Sequence, residues 1–429
     1  MSIKCDSPYA WYVAALLAMS YAVAFIDRQV LNLLVDPIKG DLGLTDTQIS
    51  LIQGLAFASA YVSMGFVFGR LADRTNRRNL LILGVTLWCA STVMCGFVHD
   101  FVGLFAARAG VGAAEACLLP AGWSLLADYF SREKLPRAMS IFLLGPFVGG
   151  GLALIFGGLT VKHVAGLHFT GILAGLAPWK LTFVFIGAPG LLFSLLLLTV
   201  REPARPVTAT ENRPFTLAEA LQFFWAERQF YARFLSGMAL VVVTLYSLPA
   251  WTPAFLMRDF GATPAQVGIQ YGLATLIAGC LGVLVGPWLS RRLMQRYPLD
   301  APIRTAFVAA AGAVLPCLVL AFAGSYWIAL AASVAGGFFV NLSLPVAAAA
   351  LQSSAPNRMR GLVTSAYALV LSSVGLGVAP TLVALVTDKI LHDPKLVGVA
   401  LGCVCAGAAL LALPLLRGAA ERATITLRR

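Results

Sequence analysis

Two acids and two bases stand inside stretches otherwise apolar enough to cross a bilayer. Asp27 and Arg28 are adjacent in Phe25-Ile26-Asp27-Arg28-Gln29-Val30-Leu31-Asn32, and Arg108 and Glu115 bracket Ala109-Gly110-Val111-Gly112-Ala113-Ala114. A single charge at the centre of such a helix costs roughly 2.5–3.5 kcal/mol on insertion scales, so charges persist there when they face a wet interior and have partners. Arg108 and Glu115 are seven positions apart, nearly on one helical face and roughly 10 Å along the axis, too far to pair directly. Asp27 and Arg28 point about 100° apart around their helix. If both helices line one cavity, Asp27 and Glu115 compete for Arg28 and Arg108. Moving a guanidinium towards or away from a carboxylate in a low-dielectric site changes its proton affinity. The expectation is that Asp27 and Glu115 carry protons, that Arg28 is a counter-charge able to take an anionic substrate group, and that Arg108 is a supporting relay. The other reading is a fixed salt-bridge network that only positions helices. Retention of pH-driven transport in Glu115→Gln would remove Glu115 from the coupling.

The elements that must hold these residues are membrane helices. The chain has 429 residues, 59% hydrophobic and only 12% charged, with a mean hydropathy of +0.84. Soluble domains carry about 25% charged residues. Apolar stretches long enough to span as helices recur along the whole chain, and the short alternating segments of a β-barrel are missing. The spans read as Ala10–Val35, Gln48–Leu71, Asn79–Val98, Val102–Phe130, Arg137–Val161 and Pro178–Val200, then Tyr231–Met257, Ala265–Leu293, Pro302–Ala323, Tyr326–Ser354, Gly361–Lys389 and Leu396–Leu416. No cleavable signal peptide is expected before the first span.

This divides the chain into a six-helix bundle over 1–200, a linker over 201–228, a second six-helix bundle over 229–417 and a tail over 418–429. The linker holds Pro203, Pro206 and Pro214, with a short interfacial helix expected from Thr216 to Trp225. The net charge of +12 is an orientation signal, not a nucleic-acid footprint. Arginines gather at Arg70–Arg78, Arg201–Arg233, Arg291–Arg304 and the C-terminal end. The opposite loops hold only Lys39, Lys162, Lys180, Arg258, Lys389 and Lys395. That asymmetry places both termini in the cytoplasm, and the compact loops suit a bacterial inner membrane. The halves echo each other, Gly69-Arg70-Leu71-Ala72-Asp73-Arg74 against Gly286-Pro287-Trp288-Leu289-Ser290-Arg291-Arg292. A repeated six-span unit is the signature of alternating access.

Gly69-Arg70-Leu71-Ala72-Asp73-Arg74-Thr75-Asn76-Arg77-Arg78 resembles the loop motif of the major facilitator superfamily, with Asn76 where glycine is usual. The resemblance implies an all-α membrane protein of twelve transmembrane helices in two pseudo-symmetric bundles. The stretches Asp27–Asn32 and Arg108–Ala116 look like bacterial Spinster members, and also like the related organic anion/cation symporters. The longer run from Asp27 to Leu42 favours Spinster. By resemblance, Gly69, Asp73, Arg74, Arg77, Arg78, Asp128 and Arg137 form a cytoplasmic gate, with the loop arginines expected to pair Asp128.

The second half supplies Tyr246, Trp251, Gln270, Tyr271, Asn341 and Tyr367 as cavity candidates, together with hydroxyls including Thr244, Ser247, Thr252 and Ser343. A cavity charged on one side and apolar on the other suits a substrate with an ionic group and an apolar body, a lysolipid or sphingoid-type lipid. Small organic acids or sugar acids are the alternative, as is an uncoupled facilitator. The cysteines are scattered and the four histidines are expected in loops, so no metal, haem or other cofactor is expected beyond a proton gradient. The expected partners are a small-molecule or lipid substrate and the bilayer, with no nucleic acid, and the protein is expected to be a monomer. A membrane enzyme would need a nucleophile–base pair or metal cluster within the spans.

Overall fold

Several spans open where a polar side chain satisfies backbone N–H groups that a bilayer would leave bare. In the computed structural model, which describes residues 6–131, 133–164, 171–203, 217–355 and 359–426, Ser7 caps span one, with Pro8 following. Thr45 and Gln48 form a capping box on span two, and Asp100 Oδ1 accepts from Gly103 N at 2.7 Å on span four. Asn76, the departure from the loop motif, has a job here. Its side chain accepts from Asn79 N at 3.0 Å and starts span three.

Twelve helices among the described residues are long and apolar enough to cross a membrane: Pro8–Leu33, Asp46–Arg74, Arg77–Cys95, Phe101–Tyr129, Leu135–Val164, Pro178–Thr199, Arg228–Phe260, Pro264–Met294, Ala301–Ala321, Tyr326–Leu351, Leu362–Leu391 and Pro394–Ala423. They fall where hydropathy puts them, and the fold is all-helical. Two ends differ. The last helix runs on to Thr426 because Ala419, Ala420 and Ala423 bury against the second unit's core, so residues 418–426 are not a loose tail. His163 lies in the final turn of span five rather than in a loop. Most of the linker, 204–216, lies outside the described residues; the helix expected there is seen at Leu217–Ala226.

The chain forms two compact units, one of residues 1–208 and 261–276, the other of 209–260 and 277–429. In the first, span one packs on five, two on four, three on four and three on six. Its largest buried side chains include Phe57, Trp88, Phe142, Trp179 and Phe183. In the second, span nine packs on ten and on twelve, and seven on eleven and twelve. Eight meets ten where Gly282 and Gly286 abut Asn341 and Leu342. The pairings of the first unit therefore recur in the second, each offset by six spans.

The helices of the first unit are irregular beside its buried charges. Span one changes from α to 3-10 at Val30–Leu33, directly after Asp27-Arg28-Gln29. Span two carries a wide π turn at Leu51–Leu55. Span four breaks at Ala116–Cys117 between Phe101–Glu115 and Leu118–Tyr129; Pro120 explains it, since a proline has no N–H for the Ala116 carbonyl. Irregular backbone at membrane depth is tolerated where protein or a polar cavity surrounds it.

Candidate functional site

Arg28 and Glu115 meet across spans one and four. The Arg28 Nη2 group donates to Glu115 Oε1, with the side chains 11% and 2% exposed. Two rings flank the guanidinium, with its carbon 4.5 Å from the centre of Phe25 and 4.2 Å from that of Phe57. A planar cation between aromatic faces gains roughly 0.5–2 kcal/mol per face and stays oriented. Gly112 makes the approach of spans two and four possible. A Cβ there would lie 3.0 Å from the Phe57 Cα, inside van der Waals contact.

Asp27 and Arg108 are placed differently from expectation. Asp27 is buried, and among the described residues neither of its carboxyl oxygens has a hydrogen-bond partner. The Thr92 side chain lies beside it, but its hydroxyl donates to the Trp88 carbonyl at 3.0 Å. Arg108, fully buried, donates from Nη1 to the backbone carbonyl of Asp27 at 3.2 Å rather than to a carboxylate. Its Nε and Nη2 have no hydrogen-bond partner among the described residues. All four side chains therefore belong to one cluster, in which Arg28 pairs with Glu115. No hydrogen bond joins Arg28 to the Asp27 carboxyl among the described residues, since adjacent positions on a helix diverge.

A second polar chain, not singled out by the sequence reading, adjoins the ion pair. Asn32 donates to Gln29 Oε1, and Gln53 Nε2 donates to Asn32 Oδ1 at 3.1 Å. Gln53 sits in the π turn of span two. The signal was present, a glutamine within Leu51-Ile52-Gln53-Gly54-Leu55, since an amide in an apolar span needs a partner.

The gate residues separate into one built node and several exposed side chains. Arg77 is buried and donates from Nη1 to Asp128 and to the Ser124 hydroxyl, and from Nε to Glu202 at 2.6 Å. The expected arginine–Asp128 contact is thus made by Arg77, while Glu202, in the linker, was not anticipated. Its second oxygen accepts from Arg78 N at 3.1 Å. Gly69 is half-buried, and Asp73, Arg74 and Arg137 are exposed; among the described residues these three charges make no ion pair.

The six cavity candidates are divided between the two units. Gln270 and Tyr271 fall in the first unit; Tyr246, Trp251, Asn341 and Tyr367 are in the second. Trp251 is fully buried and its indole donates to the Pro380 carbonyl at 2.9 Å, so it ties span seven to eleven. Asn341 Nδ2 bonds its own helix at Gly337 O, 2.8 Å away. Tyr271 and Tyr367 are nearly buried, and the Tyr367 hydroxyl has no hydrogen-bond partner among the described residues. Thr244, Ser247, Thr252 and Ser343 are also buried and bond Cys405 O, Ala379 O, Ser333 Oγ and Val340 O. Thr244, Ser247 and Thr252 thus bond across helix contacts and Ser343 within its own helix, as low dielectric requires.

Comparison with known proteins agrees with this architecture. The Major Facilitator Superfamily profile matches residues 17–380. An "MFS-type efflux pump" of Mycolicibacterium smegmatis is 31% identical over 291 residues, 67% of this chain. "Protein spinster homolog 1" of Bos taurus is 31% identical over 340 residues, 74% of this chain. Those stretches amount to 64% and 61% of the two relatives' own lengths, less than two thirds of either. The crystal structure of a bacterial homologue of the human lysosomal transporter Spinster, inward-facing and unoccupied, matches with a TM-score of 0.80 at 26% identity. That match covers 99% of this chain and 98% of the other. With twelve spans, repeated helix pairings and these matches together, the chain belongs to the Major Facilitator Superfamily as a multi-pass membrane protein, and within it resembles the Spinster proteins.

Proposed function

We propose that the protein is a proton-coupled transporter whose substrate joins an anionic group to an apolar body, a lysolipid or sphingoid-type lipid. The observation that carries this reading is the Arg28–Glu115 pair, its guanidinium held between Phe25 and Phe57, one residue from the Asp27 carboxyl, which has no hydrogen-bond partner among the described residues. An anionic substrate group competes with Glu115 for Arg28, and the two rings offer its apolar part a surface. Glu115, deprived of its counter-charge, takes up a proton. Asp27 supplies the second protonatable carboxyl and Arg108 holds the backbone at that turn. Proton and substrate occupancy then bias the same conformational equilibrium, and each can shift it only by its differential affinity for the two states. Arg77 with Asp128 and Glu202 acts as the conformational tie in this scheme, and Asp73 with the exposed arginines engages in another state. The basic loops support an inner-membrane protein with both termini in the cytoplasm.

The amide chain Gln29–Asn32–Gln53 favours a second reading. Three carboxamides beside a guanidinium could bind a small organic or sugar acid through directed hydrogen bonds.

A thermal-shift series on purified protein separates the two, with lysophospholipids in one arm and small carboxylates in the other, each repeated on Arg28→Ala. The stabilisation by the better ligand is expected to vanish in that variant. Flux in proteoliposomes under an imposed pH gradient tests coupling: Asp27→Asn and Glu115→Gln are expected to lose the gradient's effect. Wild-type flux that ignores the gradient would make the protein an uncoupled facilitator. Best ligands that are cations would remove Arg28 from substrate binding.

A further inference from the structure

A cavity of about 440 Å³ lies within the second unit, at the end where spans eight, nine and twelve come together. It is lined by Leu293, Tyr297, Arg304, Phe307, Val308, Arg417, Ala420 and Glu421. Its chemistry is divided. Arg304 and Arg417 stand at the polar end, and Leu293, Phe307 and Val308 supply an apolar wall. Arg304 is pre-positioned: its guanidinium carbon lies 3.8 Å above the Tyr297 ring and its Nε donates to Asp300 at 2.7 Å. Arg417 reaches Glu421 from its Nε at 3.3 Å, with both side chains largely exposed, 76% and 60%. Each pair uses Nε, so among the described residues the terminal amino groups of the two guanidiniums remain for a bidentate acceptor.

Surrounding charge has one dominant sign. Arg291, Arg292, Arg296 and Arg422 join the two cavity arginines, against only Asp300 and Glu421 over 291–304 and 417–422. The apolar wall also continues. Val308, Leu315 and Phe322 recur at seven-residue intervals along span nine, and all three are exposed. Seven residues are close to two helical turns, so the three form one stripe roughly 20 Å long headed by Arg304. A leaflet's hydrocarbon layer is about 15 Å deep. A basic pocket heading a lipid-depth apolar stripe is complementary to a phospholipid, with phosphate at the arginines and chains along the stripe.

We propose that this cavity binds the headgroup phosphate of an anionic membrane phospholipid, which is a bound component of the second unit and not the transported substrate. Phosphatidylglycerol titrated against the thermal unfolding of purified full-length protein in micelles tests this, with phosphatidylcholine and glycerol phosphate as the other arms. Phosphatidylglycerol is expected to stabilise the wild type, phosphatidylcholine to do so much less, and glycerol phosphate not to compete. Arg417→Glu, at an exposed position where folding is not at risk, is expected to need roughly tenfold more phosphatidylglycerol for the same shift. Arg304→Gln, which keeps a donor for Asp300, weakens binding in the same direction. Glu421→Gln removes the competing carboxylate and tightens it. Arg28→Lys, altered only at the proposed transport site and folding normally, keeps the full shift. An unchanged titration in Arg417→Glu, phosphatidylcholine equal to phosphatidylglycerol, competition by glycerol phosphate, or loss of the shift in Arg28→Lys would each overturn the proposal.

Discussion

Arg28 and Glu115, 87 residues apart in sequence, form an ion pair between spans one and four, while Asp27, the neighbour of Arg28, has no hydrogen-bond partner for its carboxyl among the described residues. Removing the guanidinium therefore strands Glu115. Arg28→Ala is expected to destabilise the protein by about 3–5 kcal/mol in denaturant unfolding, and adding Glu115→Gln to recover most of that loss. Arg28→Lys keeps the charge but not the flat contact with Phe25 and Phe57. It is expected to fold normally and to weaken substrate-induced stabilisation by roughly tenfold. Strictly additive losses in the Arg28→Ala, Glu115→Gln double variant would show that the pair is not coupled.

Arg77 and Asp73 belong to the same loop motif but carry different loads. Arg77 is buried against Asp128 and Glu202, whose side chains are 18% and 20% exposed. Arg77→Ala is expected to cost about 2–4 kcal/mol, less than a fully buried pair because water reaches both acids. Asp73→Asn is expected to leave the unfolding midpoint within about 0.5 kcal/mol of wild type. Equal effects at the two positions would contradict the arrangement.

Gly112 tests the approach of span four to span two. Gly112→Val forces atoms into the Phe57 backbone and is expected to cost about 1–3 kcal/mol while moving Phe57 off Arg28. Substrate-induced stabilisation should fall with it. Gly65→Ala, where an added Cβ meets nothing within 4 Å, is the control, expected to be neutral or slightly stabilising. Matching losses for the two substitutions would mean that helix flexibility, not contact, governs the site.

Asp6 gives the N-terminal end a pH dependence. Ser131 N donates to its carboxylate at 3.0 Å and Lys134 lies 3.7 Å away; these contacts hold its pKa below the ordinary carboxylate value of 3.8. A lowered folded-state pKa means stabilisation present above that ordinary value and lost as pH falls through the folded one. Hydrogen exchange at the Ser131 amide is expected to be slow at neutral pH and to speed up below about pH 4, relative to neighbouring amides. In Asp6→Asn that acid-dependent step should vanish. A step of the same size in the variant would assign it to another group.

Much of the fold was legible because a bilayer imposes length and polarity on every segment. Stretches of about 20 apolar residues can only be helices there, and any charge among them stands out. Asp27, Arg28, Arg108 and Glu115 were identifiable on that ground, as Gln53 could have been. Partner choice was not. Whether Arg28 takes Asp27 or Glu115 depends on how closely span four approaches, hence on Gly112, and on the 3-10 turn after Gln29. In the second half, Thr244, Ser247, Thr252 and Trp251 each bond across a helix contact, a partner that residue type alone does not reveal. Glu202 escaped notice because a linker carboxylate has no periodicity to mark it.

By itself, the sequence determined that this is a twelve-span transporter fold with charges sunk in spans one and four, since burial in lipid leaves few alternatives. Only the tertiary structure decided which charges are paired, that Arg77 rather than Asp73 is the filled node of the loop motif, and that Trp251 is packing. Those outcomes turn on distances of a few ångströms between segments far apart in the chain, where a hydrogen bond either forms or does not.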